Sequence, residues 1–365
     1  MPSKTRKRFP GLGEGRSKSL YISPTQTDTA VLIAFFNPGR FKRILKNALY
    51  IISILKENKI PYYVVECTFH KHKPQIPGAT LVLKSDSYMF YKEQLLNKLE
   101  PLVPDSYTKL VFLDADVLLD TPDWIDQISM SLETNDIVQP FNQACWLTPD
   151  NTRIRSKKMS YAFAIVTKKT INTNTIHDYH PGFVWGFKRE VFRKLGGFFP
   201  RSIVGGGDVA FILNLFPIHV TDDLFFRAIN SGFGKLILEA WRAYNHTFKT
   251  VNPTLGFLAN RALHLFHGVK ENRQYVTRYE DISKALKGTW DDEIVTNADG
   301  LFEFKRQEVN TVVLNYFKGR DEDIPLEKAE AIIKSGRRRT RRAQGGRNPI
   351  ENTPVDSTVV TMPSE

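Results

Sequence analysis

Cysteine is nearly absent from this chain of 365 residues: there are two, Cys67 and Cys145, far apart and without the spacing of a metal or redox pair. They offer no disulfide framework, so a reducing compartment is the expectation. Long apolar runs are missing as well. No segment reaches the roughly 18 uninterrupted apolar residues of a membrane span, and none has the core of a signal peptide. The chain therefore reads as soluble and cytoplasmic. Acidic residues are the minority, 39 against 51 Lys and Arg, for a net charge of +12. Such an excess can mean nucleic acid, but its location excludes a basic groove on a folded domain. Residues 1–20 carry six Lys/Arg against one Glu, and residues 334–350 carry Lys334 and six Arg with no acid. These two pieces hold the whole excess, so the stretch between them is balanced.

Both ends are polar and rich in Gly, Pro, Ser or Thr, and they read as disordered basic tails over residues 1–20 and 334–365. The Arg run fits a solvated tail or an anionic-surface or nuclear-localisation-like patch. An apolar content of 41% over the whole chain is ample for a full core once the polar ends are set aside.

"TAVLIAFFNP" (29–38) reads as a buried strand stopped by Asn37-Pro38. Phe41, Ile44, Leu45, Ala48, Leu49, Ile52 and Leu55 then recur at helical spacing. "IPYYVVECTF" (60–69) and "ATLVLKS" (79–85) read as strands, "YKEQLLNKLEPLV" (91–103) as a helix, and "YTKLVFLDADVLL" (107–119) as a fourth strand. This alternation predicts an α/β protein with a mainly parallel central sheet flanked by helices. Further on, "DIVQPF" reads as a strand, residues 147–176 as a long irregular loop, and "GFVWGFKREVFRKLGGFF" (182–199) as a strand leading into a short helix. "GGGDVAFILNLF" (205–216) reads as a Gly-rich loop opening an apolar helix, "RALHLFHG" (261–268) as a strand, and "LEKAEAIIKS" as a last helix.

Three constellations carry chemistry. Asp114 and Asp116 follow the apolar "LVFL" at a strand's carboxyl end, where ligands gather in such sheets. In extended backbone they would point the same way, and two hard carboxylates so placed suit a divalent cation with a diphosphate. The bland alternative is strand-end solvation. Gly205, Gly206 and Gly207 allow close backbone approach to a ligand, and Asp208 then stands at a helix start as either a cap or a general base. His264 and His267 are imidazoles that can complete a metal site, with Lys270 and Arg273 close behind as anion-binding cations.

Taken in order, four segments resemble a metal-dependent glycosyltransferase of the GT-A, Rossmann-like fold, nearest in pattern to the inverting β-1,4-galactosyltransferase family. They are "LIAFFNPGRFKR", "FYKEQLLNKLEPLVPDSYTKLVFLDADVLL", "GFVWGFKREVFRKLGGFFPRSIVGGGDVAF" and "HLFHGVKENRQY", spread over roughly residues 29–280. The resemblance implies sugar transfer from a nucleotide diphosphate, a UDP-sugar first, to a hydroxyl of a glycan or other acceptor, with Mn²⁺ or Mg²⁺. It implies Asp116, His264 and His267 as metal ligands, Asp114 at the ribose or at the metal through water, and Asp208 as the base. Phe36, Asn37, Phe90 and Lys92 would line the uridine and ribose pocket, and Trp185 would stack on a sugar face. In place of the family's Glu-Asp pair stand Gly207 and Asp208. The family's membrane anchor and disulfides are missing, which points to a soluble type, microbial or viral. The expected organisation is a transferase domain over 21–320, its nucleotide-binding half 21–125 and its acceptor and metal half 126–320, then a C-terminal helix over 321–333.

Two other readings compete for parts of this pattern. A haloacid-dehalogenase-like phosphatase would use Asp114 as nucleophile and "TDD" (221–223) as its later acidic pair. A nucleic-acid-binding protein would act through the Arg-rich tail.

Overall fold

The computed structural model describes residues 21–25, 28–275 and 277–343. The tail expected over 1–20, and residues 344–365 of the one expected over 334–365, lie outside the described residues, whereas 334–343 are helical.

The first strand, β1 (Thr29–Phe36), is apolar at almost every position and buried on both faces, which suits the middle of a sheet. Helix α1 (Lys42–Glu57) follows and turns Asn47, Ala48, Ile51, Ile54 and Leu55 inward at helical spacing. β2 (Tyr62–Phe69) and β3 (Leu81–Ser85) then build outward, each parallel to its predecessor. Helix α2 (Lys92–Leu99) brings the chain back, and β4 (Lys109–Leu113) pairs in parallel with the other side of β1. The sheet is thus laid outward from β1 and then restarted beside it. That reversal between β1 and β4 opens a crevice at their carboxyl ends.

The chain leaves the sheet at Asp114 and re-enters extended structure as β5 (Val117–Leu119). Helix α3 (Trp124–Thr134), β6 (Ile137–Gln139), β7 (Gln143–Leu147), β8 (Ile154–Met159), the short helix α4 (Tyr161–Val166) and β9 (Val184–Lys188) come next. After helices α5 (Arg189–Lys194), α6 (Gly207–Ile212), α7 (Asp222–Ile229) and α8 (Ser231–Val251) come β10 (Leu255–Phe257) and β11 (Arg261–His264). The central sheet has the order β10-β6-β9-β4-β1-β2-β3. Four of its six neighbour pairs are parallel, and only β9, wedged between β4 and β6, runs against its neighbours. The expected mainly parallel sheet flanked by helices is therefore the fold. A second sheet, β5-β11-β7-β8, lies beyond the site.

Alternate residues of β1 feed two cores, one on each face of the sheet. Ala30 and Leu32 join a core with helices α2, α6 and α8, while Val31, Ile33 and Phe35 join one with α1, α3 and the second sheet.

Three sequence expectations are corrected. Residues 107–119 form two strands in two different sheets, because the chain turns at Asp114–Asp116. The stretch 147–176 is not irregular throughout. It holds β8, whose "IRSKKM" has too little apolar alternation to be read as a strand, and α4, capped by Ser160 accepting from the Phe163 amide at 3.2 Å. The last helix runs Leu326–Ala343, so a boundary at 333 falls inside it.

Candidate functional site

At the carboxyl end of β4 the Asp114 amide donates to the Phe183 carbonyl at 2.9 Å, and the Val117 amide donates back to the Asp114 carbonyl at 3.2 Å. Residues 114–116 are therefore a turn. The expectation that both carboxylates leave one face of an extended strand fails, and they serve two different places.

Asp116 faces the histidines. β5 pairs antiparallel with β11, setting His264 opposite Val117, and the Leu265 amide donates to the Asp116 carbonyl at 2.8 Å. The chain then curls so that His267 Nε2 stands 2.6 Å from Asp116 Oδ2, with His264 Nε2 at 3.7 Å from the same oxygen. The two rings stack with centroids 4.8 Å apart, and their Nε2 atoms are 3.2 Å apart. One carboxylate oxygen and two imidazole nitrogens thus lie within 4.8 Å of one another, a donor set that fits a divalent transition metal. Burial opposes the charge on Asp116, but His264, His267 and Arg273 outweigh it and hold its carboxyl below the usual carboxylate range. Burial pulls His264 down to about 3. An ionised carboxylate beside a neutral imidazole is the protonation pattern a metal needs. His267 keeps its proton to higher pH than an ordinary histidine: burial works against this, and Glu322 and Asp116 prevail.

Asp114 faces the other way. Lys92, the first residue of α2, lies between two carboxylates: its Nζ is 3.2 Å from Asp114 Oδ1 and 2.5 Å from Asp208 Oδ1. Burial disfavours the lysine's charge, but Asp114, Asp208 and Glu93 more than restore it. Asp208 arrives because Gly205 and Gly206 take φ of +103° and +98°, backbone that L side chains rarely adopt, and α6 begins directly after them. The N-cap is Gly206, and no side chain caps this helix, so Asp208 serves Lys92 instead of the helix end. Space for these acids is made by missing side chains. A Cβ at Gly182 would meet Asp208 Oδ2 at 2.4 Å, and one at Gly207 would meet the Glu93 carboxyl at 2.2 Å. Glu93 is 3% exposed, and among the described residues neither of its oxygens has a hydrogen-bond partner. Burial pushes Glu93 up to about 8 and Asp114 up to about 7. These polar groups sit over an apolar floor of Leu96, Phe112, Trp185, Phe198 and Phe211.

The remaining expected residues fall at graded distances from this centre. Phe36, at the end of β1, meets Phe90 edge to face at 4.9 Å, at the mouth of the β1/β4 crevice. Asn37 is 4% exposed, and its amide holds its own loop: Nδ2 donates to the Phe41 carbonyl and to Gln75 Oε1, and Oδ1 accepts from the Phe41 amide. Trp185 is buried, donating Nε1–H to the Pro181 carbonyl at 2.9 Å and meeting Phe211 at 4.9 Å. It forms part of the cleft wall from within the core. Arg273 reaches the His267 ring, 2.9 Å from Nε2, whereas Lys270 is exposed on the short turn before it. The Asp120 carboxylate accepts from both the side chain and the backbone amide of Arg261, tying the end of β5 to β11. Asp222 of "TDD" pairs with Arg242 at 2.7 Å and lies away from the cleft lining.

Three residues were not legible in the sequence. Glu93 looks like an ordinary charge in a helix's first turn. Glu322 sits in a polar stretch, yet it is fully buried 2.6 Å from His267 Nδ1. Phe183 has φ +79°, a strained value for a bulky residue, and it stacks on His264 with centroids 5.2 Å apart.

No family model matches the chain, and no curated protein matches it. Among the described residues, no helix is long and apolar enough to cross a membrane. Solved structures similar to it include the catalytic domain of Drosophila β1,4-galactosyltransferase 7 in complex with xylobiose, at 12% identity and TM-score 0.35, covering 78% of this chain and 98% of that one. A nucleotide-diphospho-sugar transferase of Desulfovibrio desulfuricans, so named provisionally, aligns at 11% identity and TM-score 0.30, covering 80% and 99%. Glucosyl-3-phosphoglycerate synthase of Mycobacterium tuberculosis, in complex with Mn²⁺, UDP-glucose and phosphoglyceric acid, aligns at 12% identity and TM-score 0.31, covering 82% and 93%. At these scores the chemistry of the cleft rests on its own geometry.

Proposed function

We propose that this chain is a metal-dependent glycosyltransferase that moves a sugar from a nucleoside diphosphate to a hydroxyl, inverting the anomeric centre. The observation that carries this reading is the pair of stations on either side of one turn at the β1/β4 crevice. Asp116 looks to His264 and His267, a metal-binding donor set. Asp114 looks to Lys92 and Asp208, an acid–base set. A reaction needing both a charged leaving group held by a cation and a deprotonated attacking hydroxyl uses both stations. A uridine diphosphate sugar is the donor that the sequence resemblance implies.

Mn²⁺ or Mg²⁺ held by Asp116, His264 and His267 would supply positive charge to the departing diphosphate, with Mn²⁺ preferred because two of the donors are imidazoles. Asp208 takes the proton of the attacking hydroxyl as its oxygen bonds to the anomeric carbon. The bond from that carbon to the diphosphate oxygen breaks, and its electron pair leaves with the nucleoside diphosphate. Lys92 sets the direction of the Asp208 carboxylate through its hydrogen bond to Oδ1. Asp114, tied to the same ammonium, fixes Lys92 from the other side. The apolar floor excludes the water that would otherwise take the sugar. A phosphatase reading has less support: Asp114 is bonded to Lys92, and Asp222 of the acidic pair it would need is ion-paired with Arg242 outside the cleft lining.

The test is release of free nucleoside diphosphate from a panel of nucleotide sugars, with Mn²⁺ and a mixture of hydroxyl acceptors. Release that needs Mn²⁺ and disappears in Asp116→Ala is expected. Release of inorganic phosphate in its place, or no turnover with any donor, contradicts the reading.

A further inference from the structure

Glu322 lies after a helix over Gln307–Gly319, far in sequence from Asp116 and the two histidines, and its side chain is completely buried. A buried carboxylate is costly unless it is fully engaged. Here Oε2 is 2.6 Å from His267 Nδ1, while Oε1 is ion-paired with an Arg320 terminal nitrogen at 2.5 Å outside hydrogen-bond geometry, so the histidine is the hydrogen-bonded partner of this carboxylate. Arg273 approaches Oε2 at 3.7 Å and also donates to the His267 carbonyl at 3.2 Å. The opposite edge of the same imidazole, Nε2, faces Asp116 and His264. A ring whose Nδ1 is held by a carboxylate can turn only its Nε2 to a metal, and with a fixed tautomer. The approach is close enough that a Cβ on Gly268 would stand 2.8 Å from Glu322 Oε2.

The same short stretch also grips the nucleotide side. Both Asp323 oxygens accept from the first amides of α1, Lys42 and Arg43, at 2.8 Å each, and this helix end has no cap of its own. Arg43 in turn donates to the carbonyls of Glu322 and Ile324.

We propose that Glu322 is a positioning residue of the metal site, fixing the His267 imidazole by its Nδ1, and that the strap 320–324 is thereby part of the site. This rests on the metal-dependent reading above. The alternative is a purely structural ion cluster, which would stabilise the fold and leave metal affinity untouched.

The test is calorimetric titration of Mn²⁺ into the full chain as wild type, Glu322→Gln and Glu322→Asp, each shown to be folded by circular dichroism. The expected result is a Kd weakened by about 10- to 100-fold in Glu322→Gln, which keeps the shape and loses the charge. Glu322→Asp, which withdraws the carboxylate by one methylene, weakens it in the same direction and decides the matter should the first variant not fold. Wild-type affinity in a folded variant overturns the proposal alone. Absence of Mn²⁺ binding by the wild type overturns the metal-dependent reading and this inference with it.

Discussion

Lys92 stands between Asp114 and Asp208, and the division of labour at the site follows from its position. Asp208→Asn removes the proton acceptor without changing shape. Turnover should fall by about 10²- to 10⁴-fold while nucleotide binding is kept, which steady-state kinetics beside calorimetry will show. Glu93 makes a second residue-scale prediction. In the fold its carboxyl keeps a proton up to about pH 8, whereas in the unfolded chain it loses it near 4.5. The folded form therefore binds more protons across that window. Its contribution is undiminished below the unfolded value and is lost as pH climbs towards the folded one, at up to about 1.4 kcal/mol per pH unit. Glu93→Gln should flatten this part of the slope in denaturant titrations from pH 5 to 8; an unchanged slope contradicts the assignment. Asp114, Asp116, Asp208 and His267 are legible in the sequence because carboxylates after an apolar strand, or after a glycine run, stand out. Glu93 and Glu322 are not, because their burial depends on the missing side chains of Gly207 and Gly268, and nothing local marks those as contacts.

At the scale of elements, the apolar floor couples the site to the core. Phe211 on α6 meets Trp185, Phe187, Phe198 and Phe248 at centroid distances of 4.9 to 5.7 Å, and its helix also carries Asp208. Phe211→Ala should cost about 3–5 kcal/mol of stability, read as a lowered denaturation midpoint, and should loosen Asp208 as well. Strands β1 and β4 are readable from sequence because sheet neighbours and two cores bury them on both faces, leaving continuous apolar runs. β8 is not, because it lies at a sheet edge where Ser156 and Lys157 are exposed, and its polar run from Arg155 to Lys158 hides its period. The Asp114–Asp116 turn reads as uninterrupted strand because apolar residues resume at Val117, although they belong to another sheet.

For the whole molecule, charge and chemistry are separate. The excess of +12 belongs to the two ends, whereas the cleft sets its acids against Lys92, Arg273 and His267. Replacing Arg337, Arg338, Arg339, Arg341 and Arg342 by Gln should leave Mn²⁺ and nucleotide affinity as in the wild type, whereas Asp116→Ala should abolish metal binding. The opposite pattern would favour a nucleic-acid protein. The proposed function requires one crevice, at the reversal between β1 and β4, to bind a nucleoside diphosphate through a metal held by Asp116, His264 and His267. Calorimetric titration of UDP into the full chain, with and without Mn²⁺, tests it most directly. The account predicts saturable binding with Mn²⁺, strongly weakened in its absence and in Asp116→Ala. Binding of UDP with equal affinity whether or not Mn²⁺ is present, or none in either case, would contradict it.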